Sequence, residues 1–244
     1  MSRFFLEQAL LGRHAVIEGD DAAHIAKVLR LKPGASIEVV AAGRVYLATL
    51  TEVSPNRVTA EVGDVLANSG ESDLPIHLYQ SLPKGDKLEL VIQKATELGV
   101  ESITPVVTER VVVKLKPDSL AKRLTRWQRI ALEAAKQSRR GKIPTIGLPI
   151  SLGELPPVPQ SHLALVAWEE DSAPLRVALS GQDVAAVHLL VGPEGGLTPR
   201  EVDWLRERGW RSISLGPRIL RTETAPLALL AIVQYELGDL GGGK

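Results

Sequence analysis

Two stretches in the carboxyl-terminal quarter of the 244-residue chain gather side chains able to do chemistry. The first is Gly192-Pro193-Glu194-Gly195-Gly196, which follows the apolar run 187–191 and precedes Thr198-Pro199-Arg200-Glu201. Thr198 as N-cap, Pro199 at the first helical position and Glu201 at the third form a capping box, so the spacing predicts strand, glycine loop and helix in succession. Glycines lack the Cβ that would keep a ligand off the backbone, and α/β sheets hold ligands at the carboxyl ends of their strands. The second stretch is Leu215-Gly216-Pro217-Arg218-Ile219-Leu220-Arg221-Thr222-Glu223-Thr224-Ala225. It joins the short strand 212–214 to an apolar helix over 225–237, which Thr222 or Thr224 would cap. Arginines, a glutamate and hydroxyls crowded where a strand ends supply hydrogen bonds and charge on a loop, which suits a site better than a core. The plainer reading makes the first stretch a structural turn and the second a capped helix with surface charges.

Several chemistries are excluded. The glycine loop is neither Gly-x-Gly-x-x-Gly opening a helix nor a loop ending Gly-Lys-Ser/Thr, which argues against dinucleotide and P-loop sites. Without cysteine there is no disulfide, thiolate nucleophile or zinc–cysteine site. Histidines 14, 24, 77, 162 and 188 show no metal-ligand spacing, so no metal is expected. The amino terminus has no apolar signal region, and no run of about eighteen apolar residues is present. A cytoplasmic protein without a membrane partner is therefore expected.

The elements that must position these residues fall into two patterns. Short β-rich runs over 16–18, 36–41, 44–51 and 57–66 fill the first seventy residues, with a hairpin turn at Ala41-Ala42-Gly43. One helix interrupts them, capped by Asp20 or Asp21, with Ile25, Val28 and Leu29 on one face and Lys32-Pro33-Gly34 as its stop. Residues 67–73, almost devoid of apolar side chains, read as a linker. Beyond it, strands at 76–81, 163–167 and 187–191 alternate with helices at 86–98 and 119–138, the pattern of a mainly parallel sheet covered on both faces. Leu120, Leu124, Trp127, Ala131 and Ala134 form the inner stripe of the longer helix, with Asp118 or Ser119 as its cap. The expected organisation is α/β in two domains, 1–72 and 73–244.

Net charge is zero, yet residues 76–150 hold 14 Lys and Arg against 7 Asp and Glu, while the flanking segments hold 7 against 10 and 8 against 12. This basic middle could attract a polyanion locally or form a solvated helix face.

The two carboxyl-terminal stretches resemble the bacterial 16S ribosomal RNA uridine-N3 methyltransferases that modify U1498. The resemblance extends to residues 80–87 (Gln-Ser-Leu-Pro-Lys-Gly-Asp-Lys), 92–100, Thr108-Glu109-Arg110, Arg126-Trp127 with 133–138, and, at the front, Arg3-Phe4-Phe5 and residues 24–31. It implies a PUA-like RNA-binding barrel, then a SPOUT methyltransferase domain with a carboxyl-terminal trefoil knot, assembled as a homodimer. It implies S-adenosyl-L-methionine (SAM) as cofactor and 16S rRNA or the 30S subunit as partner. Carried onto this chain, the SAM loops are 190–196 and 215–225, giving Leu190, Gly192, Pro193, Glu194, Gly195, Gly196, Leu215, Gly216, Leu220, Arg221, Thr222 and Ala225 as cofactor residues. Arg221 and Glu223 are the candidate catalytic pair. Leu197-Thr198 stands where the family has Phe-Ser, and Lys136 where it often has an acid, which argues against proton transfer at that position. With RNA as substrate, Arg3, Arg30, Arg126, Arg139 and Arg140 would contact phosphates and Phe4 would stack on a base, unless it is a core aromatic. The alternatives are another RNA target (tRNA or 23S rRNA) and a non-catalytic ribosome-assembly protein.

Overall fold

The computed structural model describes residues 1–6, 10, 12–66, 70–113, 117–170 and 172–241, with 117 and 118 described for their backbone alone. The first three residues of the expected linker, 67–69, and the side chain of the expected cap Asp118 lie outside this set. Two compact units are formed: Met1–Glu71 with Ala135–Lys142, and Ser72–Ala134 with Ile143–Lys244.

In the first unit, β1 (Arg3–Phe5), β2 (His14–Glu18), β3 (Ser36–Ala41), β4 (Arg44–Val53) and β5 (Arg57–Val65) form one sheet in the order β1-β3-β4-β5-β2. Among the described residues of this sheet, only β1 and β3 pair in parallel. Ala41 pairs with Arg44, and Ala42 and Gly43 both take positive φ (48° and 72°), the two-residue turn whose twist matches that of its strands. Two register shifts in β4 sharpen the curl of the sheet. Its concave side buries Phe4, Ile17, Ile37, Val39, Leu50 and Val58.

The expected helix exists as α1 (Gly19–Ala23), which runs into a π-helical turn over His24–Val28. The N-cap is Glu18 without a side-chain bond, so neither Asp20 nor Asp21 caps it. Leu29 N–H donates to the carbonyl of His24, five residues back. The extra residue in that turn rotates the face, leaving Ile25 buried and Leu29 against the core while Val28 is 66% exposed.

Three residues expected to meet RNA are interior instead. Phe4 fills the core, Arg3 is held 2.8 Å from Glu38 and donates to the carbonyl of Arg139, and Arg140 is 2% exposed. Two Arg140 nitrogens reach the Glu71 carboxylate at 3.2 and 2.6 Å, and the N–H groups of Gly141 and Lys142 donate to it as well. Lys136 pairs with Asp21 at 2.7 Å. A buried cation persists only with such a partner, so Arg3, Phe4 and Arg140 are structural here.

The second unit contains β6 (Ile76–Ser81), α2 (Lys87–Glu97), β7 (Ser102–Val107), α3 (Pro117–Gln137, whose end belongs to the first unit), β8 (Thr145–Ile146), β9 (Ile150–Ser151), β10 (His162–Ala167), β11 (Ala173–Pro174), α4 (Leu175–Leu179), β12 (Ala186–Val191), α5 (Pro199–Arg206), β13 (Arg211–Ser214) and α6 (Ala225–Glu236). Among the described residues its eight strands are all parallel, ordered β11-β13-β10-β12-β6-β7-β8 with β9 on β7. β12 is buried throughout, as a strand covered on both faces must be. Val187, Leu189 and Val191 join residues of α2, α3, α4 and α6 in the larger core. Leu190 faces the other way, with Val202 and Leu205 of α5. Gly99, at φ 83°, ends α2 in the left-handed conformation that glycine adopts without strain.

Candidate active site

Parallel strands deliver all their carboxyl ends to one edge, and there the loops after β10, β12 and β13 enclose a cavity of about 380 Å³. Of the residues expected to hold a cofactor, Gly192, Pro193, Glu194 and Gly196 line it from the first loop, and Leu215, Gly216, Leu220, Arg221, Thr222 and Ala225 from the second. Leu190 is fully buried on the α5 side of the sheet, and Gly195 turns its carbonyl to Arg110 Nη1 at 2.7 Å, so neither lines the cavity.

The loops are joined by a buried hydroxyl. Thr222 Oγ1 donates to the Gly192 carbonyl at 2.8 Å and accepts from Gln80 Nε2 at 3.1 Å. Thr222 therefore does not cap α6, and Thr224, which stands at the N-cap position, makes no side-chain cap bond. Gln80 is wholly buried, and its Oε1 makes no hydrogen bond. The glycine loop is closely fitted: a Cβ on Gly192 would lie 3.2 Å from Leu197 Cγ and 3.3 Å from the backbone of Gly196 and Leu197.

The predicted capping box opens α5. Glu201 N–H donates to Thr198 Oγ1, and Thr198 N–H donates to Glu201 Oε2 at 2.8 Å. The other oxygen of Glu201 accepts from Glu109 N–H at 2.7 Å, so one buried carboxylate fixes both the helix start and the segment after β7.

Charge is concentrated at the rim. Lys87, in the first turn of α2, places Nζ 2.9 Å from Glu194 Oε1 and 3.3 Å from Glu223 Oε2. The Lys87 ammonium is held above its usual pKa chiefly by the hydrogen bond to Glu194, against a smaller opposing effect of burial, with Glu223 adding to the rise. Burial pushes Glu194 upward, but hydrogen bonds from Lys87 and from backbone N–H groups, including that of Lys84, bring it below the usual carboxylate range. Arg221 is 83% exposed along its side chain, and its Nη1 lies 4.0 Å from Glu223 Oε1.

The sequence reading gave no role to several residues that line the cavity, among them Lys87, Trp168, Glu169, Arg218 and Ile219. Trp168 and Glu169 follow the apolar strand β10, and the carboxyl-end rule applied to that strand would have found them. The remaining expected RNA contacts, Arg30, Arg126 and Arg139, are exposed. Arg126 Nη2 lies 2.6 Å from Glu89.

At the amino-terminal half of the same sheet, three histidines far apart in sequence stack as a row. His188 lies between His77 and His162, with ring centroids 4.9 and 5.2 Å away, and a hydrogen bond of 2.9 Å joins His162 Nδ1 and His188 Nε2. Burial, reinforced by His77 and His162, lowers the His188 pKa to about 4. Among the described residues no group of three or more His, Asp or Glu is arranged to hold a metal ion.

The profile of an RNA methyltransferase domain matches residues 70–234, and that of an RNA methyltransferase PUA domain matches residues 17–63. The chain belongs to the RNA methyltransferase family. Both chains match over their full length between this family member and the Ribosomal RNA small subunit methyltransferase E of Bacillus subtilis, at 35% identity over 256 residues. The protein of the same name from Aquifex aeolicus is 31% identical, covering 94% of this chain and 97% of its own. Among solved structures, the Neisseria gonorrhoeae Ribosomal RNA small subunit methyltransferase E bound to S-adenosyl methionine superposes with a TM-score of 0.87 at 36% identity, covering 98% of this methyltransferase and 99% of that chain. A PUA unit followed by an α/β methyltransferase unit is thus the architecture of the chain.

Proposed function

We propose that the protein transfers a methyl group from SAM to N3 of uridine 1498 in 16S rRNA. The observation that carries this reading is the cavity at the carboxyl edge of the sheet, built by the same two loops that the resemblance assigns to SAM, in a chain 36% identical to a SAM-bound relative.

The residues present fit that cofactor. Leu197, Ile213, Leu215 and Leu220 supply apolar wall for an adenine, the glycines bring backbone groups within reach, and Glu169 and Glu194 supply negative charge for a cationic ligand. When bound, SAM supplies an electrophilic methyl group on a sulfonium.

The chain must do the rest. Uridine N3 lies on the Watson–Crick edge and carries a proton, so the base enters unpaired or flipped and that proton has to leave. Glu223 is the proposed acceptor as the N3–H bond breaks and the N3–methyl bond forms. Arg221 is proposed to stabilise the charge that spreads onto the ring oxygens. Residues 1–72 would serve as the RNA-binding barrel and 73–244 as the methyltransferase domain, with Arg30, Arg126 and Arg139 contacting phosphates. The knotted carboxyl-terminal chain and the homodimer follow from the same resemblance. Support for the dimer comes from α6, whose apolar sequence leaves Ile232 and Tyr235 exposed.

Calorimetry with SAM tests the cofactor, and absence of binding would end the enzyme reading. Small-subunit RNA from cells lacking the gene should miss one N3-methyluridine; an intact mark there would move the target to tRNA or 23S rRNA. Arg221→Ala should keep SAM affinity while kcat falls on the order of a hundredfold. Equal loss of both would make Arg221 a cofactor ligand instead.

A further inference from the structure

We infer that Lys87 is a positioning residue for methyl transfer, an ammonium clamp on the cavity wall that ties the glycine loop to the Arg221–Glu223 loop and holds the Glu223 carboxylate in place beside the cavity. The inference rests on the methyltransferase reading above and adds a residue to it.

Three segments meet at this lysine. Its Nζ lies 2.9 Å from Glu194 Oε1 on the first loop and 3.3 Å from Glu223 Oε2 on the second, and Glu194 Oε1 also accepts the N–H of Lys84 at 3.0 Å. An isolated surface ion pair contributes little, but this arrangement differs in two respects. One cation serves two carboxylates on separate loops, and both are substantially shielded, with side-chain exposures of 28% for Glu194 and 14% for Glu223. Without the ammonium, Glu194 and Glu223 would lose the cation they share, leaving Glu223, among the described residues, with only the 4.0 Å contact to the exposed Arg221, and the tie between the loops would go with it.

The direction of the contact matters. Glu223 Oε2 is shut off from solvent and touches the ammonium without making a hydrogen bond. An acceptor site on that oxygen stays open, while the nearby charge holds the carboxylate in place. Gln80 and Thr222 join the same two loops from beneath. Lys87 joins them at the rim, where the substrate has to enter.

The test compares Lys87→Met and Lys87→Arg with wild type, alone and in a Glu223→Gln background. In the protein without SAM, Lys87→Met should speed hydrogen exchange in residues 192–196 and 215–225 while leaving β6 and β12 unchanged. Its kcat should fall at least about tenfold, because a small misplacement of a reacting group is costly. Lys87→Arg should restore most of that loss, and in the Glu223→Gln background Lys87→Met should cost little more, since residues acting through one another are not additive. Loop exchange and kcat within about twofold of wild type, or a full additional loss on top of Glu223→Gln, would overturn the clamp. Wild-type turnover with labelled SAM on the same preparation reports separately on the methyltransferase reading.

Discussion

The two ends of the parallel sheet use polar side chains in opposite ways. At the amino-terminal half of the strands, His77, His188 and His162 are stacked ring on ring, and His188 is sunk to 7% exposure with one ring nitrogen unpaired. At the carboxyl edge, Lys87, Glu194 and Arg221 line an open cavity, and Glu223 stands behind them within 3.3 Å of Lys87 Nζ. Both ends belong to the same strands: β12 contributes His188 at one end and runs into Gly192 at the other. The difference shows how a single element can be tuned residue by residue, since burial discharges a titratable group and solvent with counter-ions keeps it charged. One end is built for stability and the other for binding, and each assignment can be broken.

Acid should have the largest effect. His188 titrates near 4 in the fold and near 6.5 when unfolded, so the unfolded chain takes up the proton first. The stabilisation is complete above pH 6.5 and is lost as the pH falls toward 4, an effect of roughly 3 kcal/mol. Urea melts of wild type across this window should decline more steeply than those of His188→Gln. If the two decline in parallel, the histidine row is not the acid-sensitive element and the contrast between the two ends fails.

A smaller effect is expected at the opposite end. Gly192→Ala would press a methyl group against Leu197 and Gly196, and SAM affinity measured by calorimetry should drop about tenfold, near 1.4 kcal/mol. A large loss of folding stability with unchanged affinity would assign this loop to the scaffold. The smallest effect belongs to the cap between strand and helix. Thr198→Ala removes one partner of the capping box and should cost about 1 kcal/mol in chemical denaturation, with less change in SAM binding than Gly192→Ala produces.

Local sequence encodes local structure well in this chain. The strands over 36–41 and 76–81 stand at the residues that periodicity assigns, and the Thr198 box is formed with both of its reciprocal bonds. What pairs across long separations was not legible. Charge alone predicts exposure, yet Arg140 is buried because Glu71, 69 residues earlier, neutralises it. Spacing makes Thr222 a cap for the next helix, whereas its hydroxyl serves Gly192, 30 residues away. Lys87 sits within a recognisable motif, but its bond to Glu194 spans 107 residues and no spacing rule anticipates it. The displaced face of the first helix has a different cause: a π turn adds one residue to a repeat that helical periodicity assumes to be constant.

The outermost strands of the methyltransferase sheet, β8, β9 and β11, are only two residues long each, and β11 ends in Pro174, which has no N–H to give. Unpaired strand edges act as templates on which other chains add, and brevity and proline are ways of withdrawing the template. A sheet of eight parallel strands thereby remains a poor seed for aggregation. Ordered assembly of the methyltransferase unit is thereby directed to its helices and loops.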